Sequence, residues 1–314
     1  MAKRSRRRVD APATTDDPDA PSPRQPCPCG SGRRYKNCHG RQNASAPFVA
    51  RTFEGLPGEC DWIALREIVP AATAPVTLRS DPQRSVQVCS LLPMAAPAIV
   101  RPDGAIWLGL QVQHNFGDVS RDLAAVLEQA LETDPGTTVP AVDDPGPGNR
   151  LQDLVDPAGG FEVQVHPGFD FWVADVDDPS GDVAASLQAA NDAAAPTERL
   201  TSVDAAYWTQ MGDRRYLRWV MPHSESTLLD ALARLHAVDD DRLGDSTRLI
   251  GSFRAHGVLV PVWELEGDVG AEALEEPAEA FAGRLEEALA DSSTLTSAQR
   301  SARAGLANRQ LTIR

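Results

Sequence analysis

Four potential metal ligands lie close together near the start of the chain. Cys27 and Cys29 form one close pair, Cys38 and His39 form a second, and eight residues separate the pairs. Three thiolates and one imidazole are a typical ligand set for tetrahedral zinc. Because four protein ligands leave no position for water or substrate, the spacing predicts one structural Zn²⁺ rather than a catalytic one.

Three other chemistries are less compatible with this segment. A redox pair usually has the spacing C-x-x-C on a thioredoxin-like unit, whereas the spacing here is C-x-C with no strand before it. A disulfide framework needs an oxidising compartment, and the chain shows no secretory signal. An iron–sulfur cluster normally uses four cysteines, and the fourth potential ligand here is a histidine.

Residues 24–41 resemble the SEC-C motif, the C-terminal zinc-binding motif of the preprotein translocase motor SecA. The matching positions are Cys27, Cys29, Gly30, Ser31, Gly32, Tyr35, Lys36, Cys38 and His39. In SecA this module is implicated in contact with the chaperone SecB and with ribosomes. The resemblance therefore implies zinc binding and a contact surface for a protein or a ribosome at Arg33, Arg34, Tyr35 and Lys36. A solvated rim of the zinc turn explains that basic cluster equally well.

The rest of the chain does not resemble the SecA motor. A P-loop requires a lysine after its glycine-rich turn, and no lysine follows Lys36. From about Pro47 to the C-terminus, the chain instead resembles an uncharacterised family from high-GC bacteria in which the same zinc motif precedes a domain of unknown function. Two segments carry this resemblance, FVARTFEGLPGECDWIALREIVPAATAP and HGVLVPVWEL. The resemblance implies no activity.

The charge of the chain is divided unevenly. Residues 1–42 hold ten Lys and Arg against four Asp, whereas residues 43–314 hold twenty Arg against forty-one Asp and Glu. Residues 1–23 lack an apolar period and are predicted to be a disordered basic arm, through which nucleic acid could bind. The longest apolar stretch, Leu91 to Val100, is too short to span a bilayer, so we expect a cytoplasmic protein without a membrane span.

The remaining residues, 47–314, predict an α+β body. Asp118 and Ser224 are expected to cap helices, a further helix is expected after Pro277, and Thr296 with Gln299 forms the capping box of the last one. Strand-like runs with β-branched or aromatic residues cover Val86–Leu92, Ala105–Val112, Phe161–Val165, Phe169–Val176, Arg215–Met221 and Val258–Leu265.

Two features suggest how this body is divided. A Pro/Gly/Asp-rich stretch at residues 134–160 predicts an internal division. The similar segments GDVSRDL at 117–123 and GDVAASL at 181–187 suggest two strand–strand–helix halves.

Candidate catalytic groups in the body are weak. His223 and Glu225 match the H-x-E half of a zinc deaminase, but the required P-C-x-x-C is missing. The acidic runs at 143–144, 177–178 and 239–241 are read as turn residues rather than as cation ligands. Cys60 lies between two acids that should raise its pKa, and Cys89 is predicted to be a small buried side chain.

These patterns predict a zinc-binding cytoplasmic interaction or adaptor protein that contacts the protein-export or translation machinery. The alternative is an enzyme, a hydrolase or a nucleotide-processing enzyme, whose site is assembled from distant residues of the α+β body. The sequence leaves the question of enzymatic activity open and leans against it.

Overall fold

The computed structural model describes residues 25, 48–112, 116–142, 144–174 and 181–311. All of these except Gln25 belong to one structural unit, Ser45–Arg314. Its helices are α1 (Glu59–Glu67), α2 (Val119–Leu131), α3 (Leu151–Leu154), α4 (Gly181–Ala193), α5 (Glu225–His236), α6 (Glu275–Ala290) and α7 (Ser297–Asn308). Its strands are β1 (Ala72–Val76), β2 (Val86–Cys89), β3 (Ala98–Val100), β4 (Ile106–Gly109), β5 (Thr137–Val139), β6 (Gln164–Val165), β7 (Thr197–Arg199), β8 (Ala206–Met211), β9 (Arg214–Trp219), β10 (Thr247–Ala255) and β11 (Val258–Leu265).

The first sheet has the strand order β5-β3-β4-β2-β1-β6. Its pairings are antiparallel except that of β2 with β4, which is parallel. Alternate residues of its strands, such as Val88 and Leu108, are fully buried against α1 and α2. This alternation is the period-two pattern expected of a sheet with one face on the core.

The second sheet has the order β10-β11-β9-β8-β7 and is antiparallel throughout. One face carries Trp219 and Trp263, which contact Phe281 of α6 in a core completed by α5 and α7. The opposite face, including Tyr207 and Val260, joins the core that contains α1 and the first sheet. The second sheet is therefore covered on both faces, and α1 lies against the face that carries Tyr207.

The helix starts predicted from the sequence are confirmed. Asp118 accepts a hydrogen bond from the Ser120 amide, and Ser224 accepts one from the Thr227 amide. Thr296 and Gln299 form the expected capping box at α7. The helix expected after Pro277 begins at Glu275, which places the proline in its first turn, where a missing amide costs little.

Five of the six predicted strand-like runs contain strands, and Val258–Leu265 matches β11 at both ends. The prediction at Phe169–Val176 is wrong, because Asp170–Val173 form a 3₁₀ turn. In a strand, Phe171 and Trp172 would point to opposite faces. The turn instead lets both rings contact Phe169, at centroid distances of 6.3 and 4.3 Å, and places Phe171 against His166.

The mixed α+β class is confirmed, and the segments at 117–123 and 181–187 each lead into a helix, α2 and α4. The two sheets differ in topology, since the first contains a parallel strand pair and the strands of the second are all antiparallel. The chain passes from the first sheet to the second over residues 166–196, while the division within 134–160 stays a prediction. Among the described helices, none combines the length and apolar character needed to cross a bilayer.

Candidate functional site

A cleft of about 630 Å³ opens where the start of α1 meets the second sheet and α6. The helix begins after Gly58, whose φ of 67° lies in the left-handed region. A Cβ at this position would lie 2.8 Å from the Cβ of Phe161, so the glycine is required both for its conformation and for the close approach. The turn places Glu59, Cys60 and Asp61 on the cleft.

Asp61 is the most deeply buried charge of the cleft, with 6% of its surface exposed. Its two carboxylate oxygens accept hydrogen bonds from Arg199 of β7, at 3.1 Å from Nε and 3.2 Å from the terminal nitrogen. The hydroxyl of Tyr207 donates to the same carboxylate at 2.5 Å. Burial, together with the negative charge of Asp61, holds the pKa of Tyr207 well above its usual value. This cluster holds α1 on the second sheet. Both carboxylate oxygens of Asp61 are used as acceptors within the cluster.

A second ion pair closes the rim of the cleft. Arg51 donates from Nε to Glu59 at 2.6 Å and from a terminal nitrogen to the other carboxylate oxygen at 2.9 Å. The same guanidinium donates to the carbonyl of Pro222 at 2.8 Å. Bidentate pairs of this kind add geometric precision to their charge attraction. The pair therefore ties the start of α1 to the segment that precedes α5.

Cys60 lies in the cleft but is not activated. Burial is the largest cause of its raised pKa, the neighbouring Glu59 and Asp61 add to the effect, and the value reaches about 12. The prediction that its acidic neighbours raise this pKa is confirmed in direction. Cys89 is fully buried, as predicted, and burial raises its pKa as well.

We therefore expect both body thiols to resist alkylation in the folded protein. At pH 8 a thiol with a pKa of about 12 has roughly 10³-fold less thiolate than an ordinary cysteine, and only the thiolate reacts. Iodoacetamide labelling followed by mass spectrometry should leave Cys60 and Cys89 unmodified until denaturant is added. Rapid native labelling of Cys60 would contradict the buried, protonated state.

Glu275 fixes the wall of the cleft formed by residues 201–205. Its carboxylate accepts hydrogen bonds from the amides of Thr201 and Ser202 at 2.8–3.1 Å and from the Thr201 hydroxyl at 3.0 Å. Burial alone would raise the pKa of Glu275, but the hydrogen bonds from Ser202 and Thr201 outweigh it and lower the pKa to about 2.

The lowered pKa of Glu275 predicts that the free energy of unfolding depends on pH in the acid range. The unfolded-state pKa of glutamate is about 4.3, so the contribution of Glu275 is complete above that pH and is lost as the pH falls towards 2. In Glu275→Gln the free energy of unfolding should be lower at pH 7 and should change less between pH 4.3 and pH 2. Urea titrations at several pH values test this, with Glu276→Gln, an exposed neighbour, as the matched control. Equal pH profiles for the two variants would contradict the assignment.

The H-x-E residues are not brought together as a catalytic pair. His223 is half-buried in the cleft, and burial first and then Arg51 lower its pKa. Glu225 points elsewhere and forms a bidentate ion pair with Arg254, at 2.6 and 2.5 Å. His223 thus remains as a neutral imidazole that lines the cleft with no hydrogen-bond partner among the described residues.

Two of the three aspartates at 239–241 contact basic side chains, so they are not only solvated turn residues. Asp240 pairs with Arg284 at 3.1 Å, and Asp241 contacts the Nδ1 atom of His236 at 2.6 Å. Asp143 and residues 177–178 lie outside the described residues. Within the part of the chain that the structure describes, no group of three or more His, Cys, Asp or Glu is placed to hold a metal ion.

The predicted zinc ligands also lie outside the described residues: Cys27, Cys29, Cys38 and His39. So do the basic cluster Arg33 to Lys36, the arm, and the rest of the motif apart from Gln25. The charged residues that organise the cleft were missed by sequence reasoning. Arg199 and Tyr207 are separated from Asp61 by 138 and 146 positions, so no local pattern joins them.

Two known family profiles match parts of this chain. The profile of a family described as "Family of unknown function (DUF5926)" matches residues 52–314, and a SEC-C motif matches residues 24–41. No curated protein and no solved structure matches the chain. These matches confirm the expected combination of a SEC-C motif with an uncharacterised domain.

Proposed function

The chain belongs to the DUF5926 family, whose function is unknown, and from its SEC-C motif we propose that it is a zinc-binding interaction protein. In this proposal the motif forms a structural zinc module that contacts a component of the translation or protein-export machinery. The observation that carries the proposal is the SEC-C match at residues 24–41, since motifs of this type bind zinc. The basic arm before the motif provides a surface for anionic partners in the cytoplasm.

The donor set of the motif fits zinc. Cys27, Cys29 and Cys38 supply soft thiolates and His39 an imidazole, which together fill a tetrahedral site. Structural zinc contributes about 10–16 kcal/mol of binding free energy at neutral pH, and a segment of this length is far too small to stabilise itself by a hydrophobic core. Bound zinc would therefore hold the turn that presents Arg33, Arg34, Tyr35 and Lys36.

The chemistry of the body supports binding better than catalysis. In the cleft, Asp61 and Glu59 are each held by an arginine through two hydrogen bonds, and the Cys60 thiol stays protonated. Groups committed in this way stabilise the walls of a site but are poor nucleophiles and poor general bases.

Affinity purification of the whole chain from its own cell extract tests the proposal. We expect at least one partner to be captured by the intact protein and lost when Arg33, Arg34 and Lys36 are all replaced by Ala. The double variant Cys27→Ser, Cys29→Ser should lose the same partner together with the zinc. Replacement of three arginines elsewhere on the surface, Arg214, Arg248 and Arg254, is the matched control for a general loss of positive charge.

Two outcomes would oppose the proposal. If the triple Ala variant keeps every partner, the basic cluster is only the rim of the zinc turn. If the purified protein holds no zinc and the Ser variants behave as the intact chain does, the zinc module itself is wrong.

An enzyme is the second candidate, and the cleft is the observation that favours it. The fold brings His223 to one cavity with Arg199 and the exposed Asp204, which lie in a different segment of the chain. A neutral imidazole is the form that acts as a general base. Thermal-shift screening of the intact protein against nucleotides and phosphate esters should detect a ligand of this cleft, and His223→Ala should abolish the shift. A ligand that stabilises both proteins equally would place its site elsewhere.

A further inference from the structure

One groove of the body is bordered by an outer strand from each sheet. Strand β6 ends the first sheet and β7 ends the second, and a groove of about 580 Å³ lies beside both. Val163 and Val165 line it on the side of β6, and Thr197 and Arg199 line it on the side of β7. Outer strands expose unpaired backbone groups, which can pair with another chain.

The register of β6 shows which of its backbone groups face the groove. The amide of His166 donates to the carbonyl of Ala71 at 2.9 Å, and Gln164 is paired with Thr73. Because successive residues of an antiparallel strand direct their N–H and C=O groups to opposite sides, those of Val163 and Val165 point away from β1. Within the described part of the chain, neither valine makes a backbone hydrogen bond beyond the pairing of β6 with β1.

Strand β7 has the same arrangement on the other side. The amide of Leu200 donates to the carbonyl of Ala206 at 2.9 Å, and the amide of Gln210 donates to the carbonyl of Pro196 at 3.0 Å. Pro196, Glu198 and Leu200 therefore face β8. The N–H and C=O groups of Thr197 and Arg199 face the groove, and no backbone partner satisfies them among the residues described.

The opposite end of the second sheet shows how this fold covers an exposed strand. Strand β10 is the other outer strand, and the amide of Ser252 donates there to the carbonyl of Arg309 at 3.1 Å. The amide of Leu311 returns a hydrogen bond to the carbonyl of Ser252 at 2.9 Å. An extended segment of the chain itself thus pairs with β10, whereas described residues provide no such segment at β6 or β7.

We propose that the groove between β6 and β7 binds an extended peptide segment of a partner protein, which adds as a strand to one edge and packs its side chains against the other. This inference rests on the proposed function as an interaction protein and gives the body a binding site of its own. Main-chain pairing supplies affinity in this mode of recognition, and pockets for alternate side chains supply specificity.

The walls of the groove define the chemistry of the peptide. Apolar residues line much of the groove, and they favour apolar side chains at alternate positions of the bound strand. These residues are Val163, Val165, Pro167 and Pro196. Glu198 is exposed and carries the negative charge of the groove, while the guanidinium of Arg199 is held by Asp61. The partner segment is therefore apolar and neutral or basic.

Proline substitution tests the pairing directly. Val165→Pro or Thr197→Pro removes one outward N–H group without touching the hydrogen bonds to β1 or β8, and proline is tolerated at such positions of an outer strand. The probe is a phage-displayed library of random linear peptides selected on the intact protein, followed by titration of synthetic free peptides. We expect affinity to fall about tenfold in at least one proline variant and to be kept in Val165→Thr, which retains the N–H group.

A measurement on the unaltered protein keeps the test valid if a proline variant fails to fold. Hydrogen exchange with the selected peptide present should slow in segments 161–167 or 196–201. Selection of no binding peptide, protection confined to other segments, or an affinity in both proline variants that is unchanged from that of the intact protein would overturn the proposal. So would a dimer of the intact chain that either proline variant converts to a monomer, since a second copy would then occupy the groove.

The same titrations separate this inference from the zinc module. The variant Cys27→Ser, Cys29→Ser should keep the peptide affinity of the intact chain even if it loses its captured partner. If the intact chain holds its zinc and its captured partner but binds no peptide, the result would therefore count against the groove alone.

Discussion

Replacement of Asp61 by Asn should lower the free energy of unfolding by about 3–5 kcal/mol, because the guanidinium of Arg199 would lose the buried carboxylate with which it pairs. The cost is large because Asp61 is 6% exposed and the side chain of Arg199 is 24% exposed, so water compensates little. For a domain of this size the loss corresponds to a decrease in Tm of roughly 10 °C. Urea and thermal unfolding followed by circular dichroism measure both quantities.

The matched control is Asp204→Asn. This carboxylate lies 3.8 Å from the same arginine but is fully exposed, so its removal should lower the free energy of unfolding far less than removal of Asp61 does. A triple variant, Asp61→Leu, Arg199→Met, Tyr207→Phe, should be more stable than Asp61→Asn, because it leaves no buried charge unpaired. Equal effects of Asp61→Asn and Asp204→Asn would show that the cluster does not hold α1 on the sheet.

The helices of the body were predictable because their signals are local. Asp118, Ser224 and Thr296 cap helices whose apolar residues recur at helical spacing, and both signals lie within one or two turns. The run Val258–Leu265 was equally clear, since it is rich in β-branched residues and bounded by a turn at His256 and Gly257. For these segments, local preference and tertiary packing agree.

The strands that the sequence did not predict depend on distant partners. Strand β1 reads ATAPV, and its Pro75 argues against a strand. The missing N–H group of Pro75 falls on the side of β6, beyond the last residue with which β6 pairs, so no hydrogen bond is lost. In β10, Gly251 lies at a bulge, where a Cβ would come within 2.4 Å of the carbonyl oxygen of Arg309. No window of sequence contains that neighbour.

The three candidate sites differ in how far the sequence predicts them, for the same reason. The four proposed zinc ligands lie within one short segment, so their spacing alone predicts their chemistry. The groove is formed by residues of β6, β7 and their flanks, and the cleft by residues of α1, α6 and the second sheet, which are distant in sequence and meet only in the folded chain. The sequence shows residue types at these positions, but the free N–H groups of Val165 and Thr197 follow from strand order.

Removal of zinc should have the largest effect on this chain. We expect the purified protein to contain about one zinc per chain, because four ligands fill a single tetrahedral site. A strong chelator should then release the metal and make three thiols, those of Cys27, Cys29 and Cys38, reactive without denaturant. Cys60 and Cys89 should stay protected because burial and not metal keeps them unreactive. Labelling should thus identify three of the five cysteines after chelation and all five only after unfolding.

Variants of the fourth ligand test the ligand assignment without removing a thiol. His39→Ala should lower the zinc affinity sharply, since it opens one of four positions, whereas His39→Cys should retain the metal because four thiolates also form a stable structural site. Ser31→Ala, which changes the same turn without touching a ligand, is the matched control. Because ligand protons are released when zinc binds, the affinity of the intact chain should also fall as the pH is lowered. Full zinc retention in His39→Ala, or in the double variant Cys27→Ser, Cys29→Ser, would exclude this ligand set.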